Sequence, residues 1–272
     1  GHILGSAQIR LEHRGEVWVF SGDYKTTPDP AAEAFEPVRC DTFITESTFA
    51  LPVFRWPDPE SVMEDLVHWW RANREKGRTS VVFAYALGKA QRVLAGIKRA
   101  LPEAGTADWP VGVHGSVYPF LDTYARSGVN LPAAERANTA WARAHRGTGL
   151  VVTPASVQQT PWLNRLRPYS LAFASGWMMV RGSRRRRALD RGFVLSDHCD
   201  WPGLINAVRA SGCSRVGVTH GRADTFARYA REELGLEAFA LSTRYTGESI
   251  DEPAGDNAAS EVAEPAGEGT GA

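Results

Sequence analysis

A chain of 272 residues, 43% of them hydrophobic, can bury one large core or two ordinary ones, and its 31 basic and 31 acidic residues cancel. No run of about eighteen apolar residues occurs and no charged segment leads into a hydrophobic one, so neither a helical membrane span nor a signal peptide is read here, and a cytoplasmic setting without membrane partners is expected. The three cysteines, Cys40, Cys199 and Cys213, are scattered without C-x-x-C spacing, which argues against a disulfide framework or a thiolate zinc site.

From the front, QIRLEHRGEVWVFSGDY alternates apolar and polar residues about Arg14-Gly15 and predicts a hairpin. CDTFITEST predicts a second short strand ending in polar residues. Asp58 as a cap, Pro59 at the first helical position and an apolar face of Val62, Leu66, Trp69 and Trp70 predict a helix that Gly77 stops. TSVVFAY then reads as a buried strand and LGKAQRVLAGIKRAL as a helix. The alternation returns in PVGVHG, YPFLDTYARSG, LVVTPASV and SLAFASGW, the pattern of an α/β region with parallel strands covered on both faces. Two more strand-to-helix units follow. GFVLSDHCDWPGLINAVRASG predicts a strand to Ser196, a cap at Asp200 and a helix to about Ser211, and RVGVTHGRADTFARYAREELG repeats the plan. Residues 248–272 hold seven of the 31 acids and no Lys or Arg, so the remaining body carries 31 basic residues against 24 acidic ones. A low-complexity acidic tail of this kind predicts disorder, while the basic body suits a polyanion.

His2, Asp23, Glu46, His198 and His220 each lie in a short polar turn beside a predicted strand. Two carboxylates and three imidazoles are ligand types suited to zinc or manganese. Ordinary hydrogen-bonded histidines at strand ends are the other reading of the same residues. His198 and His220 fall just past the carboxyl ends of strands, the rim where open α/β sheets bind ligands.

GHILGSA, FSGDYKTTPDP, CDTFITESTFALP, LSDHCDW and VTHG occur in this order over roughly residues 1–247. That order resembles the metallo-β-lactamase-fold nucleases with a β-CASP insertion, and within them it is most similar to the bacterial ligase-associated DNA exonucleases, through SGDYK and TESTF. The resemblance implies a partial αββα sandwich with an inserted Rossmann-like domain: residues 1–56 as the first sandwich segment, 57–189 as the β-CASP domain, 190–247 as the closing segment and 248–272 as the tail. It implies two divalent metals, zinc with manganese as the alternative, held by His2, Asp23 and His220, with Asp23 bridging them. It also implies His198 as the catalytic acid, oriented by Glu46. The activity implied is hydrolysis of a nucleic-acid phosphodiester by a hydroxide shared between the metals, on DNA, with RNA as the alternative, in association with a DNA ligase or with repair. A non-catalytic nucleic-acid-binding remnant is the rival reading.

Four further features carry less weight. LGKAQ lacks the second glycine and the Ser or Thr of a nucleotide-binding phosphate loop. It matches the G-(R/K)-x-Q segment of the β-CASP cassette, where Lys89 could face nucleic acid, or it is a plain strand-to-helix turn. Thr153 and Ser156 either contact phosphate or form an unremarkable turn. Arg184, Arg185, Arg186 and Arg187, in RGSRRRR, are either a solvated loop or backbone-phosphate contacts. His13, His68, His114 and His145 have no comparable motif. The family carries an H-x-H-x-D-H segment upstream of the GHxxGSA histidine, and none occurs in these residues. The expectation is therefore that the chain, which starts inside a motif without an initiator methionine, is a fragment with little activity alone.

Overall fold

Arg14 and Gly15 both adopt positive φ, 52° and 82°, as two-residue turns do when their twist matches that of the flanking strands. They join β1 (Ile9–His13) to β2 (Glu16–Phe20) in an antiparallel pair. The computed structural model describes residues 1–180 and 188–242. The predicted tail therefore lies outside the described residues, as do Arg184 to Arg187.

β3 (Thr42–Thr45) follows, then α1 (Pro59–Glu75). Asp58 caps α1 by accepting from the Ser61 N–H at 2.9 Å, a bond worth about 1 kcal/mol, and Gly77, at φ +62°, ends the turn beyond it. The inserted region then alternates: β4 (Thr79–Phe83), α2 (Lys89–Ala100), β5 (Val111–Val113), α3 (Tyr118–Arg126), β6 (Ala134–Arg136), α4 (Thr139–Ala144), β7 (Leu150–Thr153), α5 (Pro161–Asn164) and β8 (Tyr169–Ala174). β9 (Arg191–Phe193), α6 (Trp201–Ser211), β10 (Arg215–Val218), α7 (Ala223–Leu234) and β11 (Glu237–Ala240) complete the described chain.

Two sheets result, and the fold is mixed α/β. The inserted sheet is parallel throughout, in the order β6-β5-β7-β4-β8-β9. β4, β5 and β7 are buried along their whole length, which is why they read as continuous apolar runs. One face packs on α1 and α2 through Leu66, Trp70, Val93 and Ile97, and the other on Trp141, Leu163 and Leu166. β9 pairs with β8, and Phe193 packs edge-on against Trp69 at 5.7 Å, so the parallel sheet continues to residue 193.

The second sheet has the order β1-β2-β3-β10-β11 and is parallel apart from the first pair. Val19, Phe43, Val216 and Val218 point to one face, where α6 and α7 cover them with Trp201, Leu204, Val208 and Phe226. On the other face the register aligns Ile9 with Phe20 and Leu11 with Trp18, and Ile9, Leu11 and Phe20 are 59%, 56% and 40% exposed. Among the described residues, no helix is long and apolar enough to cross a membrane.

Candidate metal centre

β2, β3 and β10 are parallel neighbours, and the loops beyond their carboxyl ends carry Asp23, Glu46 and His220. Such a rim gathers loops into one crevice. His2 reaches it from the opening turn and His198 from the loop between β9 and α6. All five residues expected from the sequence are thereby brought together. Ligand-type atoms of His2, Asp23 and His198 lie within 4.8 Å of one another, and so do those of Asp23, Glu46 and His220, with Asp23 common to both groups.

The loops are fastened before any side chain is considered. The Ser47 hydroxyl bonds to the carbonyls of Thr219, at 2.8 Å, and His220, and the Arg222 N–H donates to the Ser47 carbonyl at 3.0 Å. This contact needs Gly221: its φ is +78°, and a Cβ there would lie 2.5 Å from the Ser47 oxygen. On the other side Asp200 caps α6 by accepting from the Gly203 N–H and also accepts from the Trp56 N–H, both at 2.9 Å, while the Trp56 indole donates to the His198 carbonyl at 2.9 Å.

Hydrogen bonding fixes which nitrogen of each ring faces inward. A carbonyl can only accept, so the 3.0 Å contact between His2 Nδ1 and the Asp197 carbonyl puts the proton on Nδ1. The Thr219 hydroxyl donates to the Thr45 carbonyl at 3.1 Å, so its oxygen must accept from His220 Nδ1, also at 3.1 Å. His198 Nδ1 donates to Glu46 Oε2 at 2.9 Å, and the other oxygen of Glu46 accepts the Tyr24 N–H at 2.9 Å. In the neutral forms, Nε2 of each ring is then the lone-pair nitrogen. His220 Nε2 lies 2.9 Å from Asp23 Oδ1 and His2 Nε2 lies 3.9 Å from Asp23 Oδ2. An acceptor nitrogen against a carboxylate oxygen is repulsive unless a cation lies between or beside them, either a ring proton or a metal ion. Donors of this kind, each with its outer nitrogen occupied, suit zinc or manganese.

The charges agree. Burial opposes ionisation of Asp23, yet the His220 contact and the neighbouring His198 and His2 outweigh it and hold the carboxyl below its usual range. Asp197 is 4% exposed, and burial again opposes its charge. The ammonium of Lys89, 2.9 Å from its Oδ1, reverses that and keeps Asp197 ionised well below the usual carboxylate range.

The residues expected to touch nucleic acid are placed differently. Lys89, at the helix start where a cation could face nucleic acid, is 1% exposed and turned inward onto Asp197. Thr153 is fully buried and its hydroxyl donates to the Pro154 carbonyl at 3.4 Å, so it is held within its own turn. Ser156 is exposed. Asp197, Arg92, Asp29 and Thr219 belong to the site and are missed by sequence reasoning. Asp197 stands inside the quoted SDH motif, but the partners of Arg92 and Asp29 are distant in sequence and give no local pattern.

No protein-family model matches the chain. Among curated proteins, a "Probable DNA ligase" of Opitutus terrae is 30% identical over 243 residues, which is 89% of this chain and 23% of that protein. An "RNase J-like protein" of Methanocaldococcus jannaschii is 30% identical over 128 residues, 46% of this chain and 30% of that protein. The chain thus spans less than a third of the length of either relative. A solved structure from Enterococcus faecalis V583, of a protein of unknown function, shares the fold with a TM-score of 0.54 at 12% identity, over 89% of this chain and 59% of that one.

Proposed function

We propose that the chain is part of a β-CASP nuclease of the metallo-β-lactamase fold, a hydrolase of nucleic-acid phosphodiesters. The observation that carries this reading is Asp23, whose two oxygens face Nε2 of His220 and Nε2 of His2, with both outer nitrogens already engaged. A carboxylate so placed is suited to bridge two divalent ions. The order of the five sequence motifs and the match to an RNase J-like protein support the family.

Two ions held by His2, Asp23 and His220, zinc with manganese as the alternative, would lower the pKa of the attacking water and neutralise charge on the phosphate. The chain's own residues do the rest. Asp23 keeps its charge at neutral pH and stands with one oxygen towards each of His220 and His2. His198, fixed through Nδ1 by Glu46, presents Nε2 as the atom that carries a proton to the departing sugar oxygen. Glu46 compensates the charge on the ring while that proton is present, and is itself anchored by the Tyr24 N–H. Ser156 and the arginines from 184 to 187 are proposed as contacts to the phosphate backbone.

DNA is the proposed substrate, by exonucleolytic cleavage linked to ligation or repair in the cytoplasm, because an alignment over 243 residues is to a protein named as a DNA ligase. The RNase J-like relative favours RNA as the second reading. End-labelled DNA and RNA of one sequence, incubated with zinc or manganese and either this chain or a longer protein that joins it to an H-x-H-x-D-H segment, test the two. Metal-dependent release of nucleotides from DNA by the longer protein, abolished by chelation and by Asp23→Ala, is the expected result, with little release by the chain alone. Cleavage of RNA alone would select the RNA reading, and binding without cleavage under either metal would select a non-catalytic remnant.

A further inference from the structure

α2 brings two buried cations from the inserted domain to the metal centre. Lys89 and Arg92 lie three residues apart, hence on one face of the helix, and are 1% and 2% exposed. Burying a cation is costly unless it is paired; Asp29, on the loop after β2, is one partner, and the others converge on two loops, the opening turn and the segment after β9. Lys89 Nζ lies 2.9 Å from Asp197 Oδ1. The Arg92 guanidinium donates to the carbonyls of Ser196, His2 and Gly1 and pairs with Asp29, which also takes the Lys25 ammonium at 3.2 Å. Those loops are the ones that present His2 and His198.

The path from Lys89 to a ring is short. Asp197 binds Lys89 with its carboxylate, while its backbone carbonyl accepts the His2 Nδ1 proton at 3.0 Å. The helix start also leaves no space between itself and the His2 turn: Gly88 has φ +84°, and a Cβ there would fall 2.1 Å from Ile3 Cγ2. The rings of His2 and His198 sit 4.6 Å apart between centroids, so a shift of one loop changes the relation of both.

We infer that Lys89 and Arg92 are positioning residues of the metal centre, through which the inserted domain fixes the tautomer and orientation of His2 and the loop that carries His198. The chemical purpose of that positioning rests on the nuclease reading above; the geometry does not. Lys89 and Arg92 act through Asp197, the Ser196 carbonyl and the backbone of the opening turn. Outer partners of metal-ligating histidines typically affect metal affinity by about 10- to 100-fold.

The test uses the whole chain labelled with ¹⁵N-histidine, with His2→Ala identifying the His2 signals, at a pH where the ring is neutral. Wild type should show His2 protonated on Nδ1. Lys89→Met should give a mixture of tautomers, Lys89→Arg should restore most of the wild-type pattern, and Arg92→Lys should disturb the His2 signals without a full change of tautomer. Zinc affinity, read by competition with a chromophoric chelator, should fall about 10- to 100-fold in Lys89→Met and recover in Lys89→Arg. Val62→Ala, in the core of α1, controls for lost stability and should leave the tautomer unchanged. If Lys89→Met fails to unfold cooperatively, Asp197→Asn is read in its place.

An unchanged His2 tautomer in a cooperatively folded Lys89→Met or Asp197→Asn variant would overturn the inference, as would an equal change in Val62→Ala. A wild-type chain that binds no zinc would count against the nuclease reading, and the tautomer would still decide the role of Lys89.

Discussion

Glu46 Oε2 lies 2.9 Å from His198 Nδ1, with the two side chains 1% and 4% exposed. A buried carboxylate and imidazole in contact orient the ring and leave its far nitrogen as the working atom. His198→Ala should therefore lower single-turnover cleavage by about 10²- to 10⁴-fold, the usual contribution of general acid catalysis. Glu46→Gln keeps an acceptor but loses the charge, and should cost about 10- to 100-fold. Cleavage by His198→Ala at the wild-type rate would remove the acid role.

Gly221 closes the crevice from the His220 side, and its cost of substitution can be separated into strain and collision. A Cβ there meets the Ser47 oxygen at 2.5 Å and Thr48 Cα at 2.7 Å, on a backbone of φ +78°. Gly235, at φ +67°, would meet nothing within 4 Å. Chemical denaturation should show Gly235→Ala destabilised by about 1 kcal/mol for the backbone alone and Gly221→Ala by about 2–4 kcal/mol, because rigid backbone must move. Equal losses would mean that the two loops are not packed as described.

The cysteines are packing residues. Burial pushes the Cys40 thiol up to about 11 and raises those of Cys199 and Cys213 as well. The native protein should resist iodoacetamide at pH 8, whereas the unfolded chain should take up three equivalents, one for each cysteine. A folded pKa above the unfolded one contributes stability that is fully present below about pH 9 and lost as the pH rises towards about 11. Stability should therefore decline across that interval, and less steeply in Cys40→Ala.

β1 and β2 expose an apolar strip of Ile9, Leu11 and Phe20 on the face opposite α6 and α7. Such a strip promotes association. Ile9→Ser with Leu11→Ser should reduce self-association in light scattering while changing stability by less than about 1 kcal/mol, because both side chains are already in solvent.

Local chemistry made much of the fold legible. Asp58, Pro59 and Gly77 bound α1 as their types require, and the all-buried strands announce themselves as apolar runs. β6 does not, because Ala-Glu-Arg carries no pattern and becomes a strand only by pairing with β5 at the sheet edge. α5 and β11, at four residues each, are likewise too short to show a period. The five residues of the candidate metal centre stand out through the order of the motifs that carry them, because polar groups at strand ends read equally as hydrogen-bonded turns. Lys89 looks the same in sequence whether it faces solvent or a buried Asp197, 108 positions away; only tertiary packing decides. Arg92 and Ser196 are similarly remote.

Calorimetric titration of the chain with zinc and with manganese, beside Asp23→Ala, reads the bridging role of this carboxylate. Tight binding that releases protons is expected, since any proton held between His220 and Asp23 must leave, together with loss of that binding in Asp23→Ala. Equal binding by wild type and Asp23→Ala, or none by wild type, would contradict a metal centre bridged by this carboxylate.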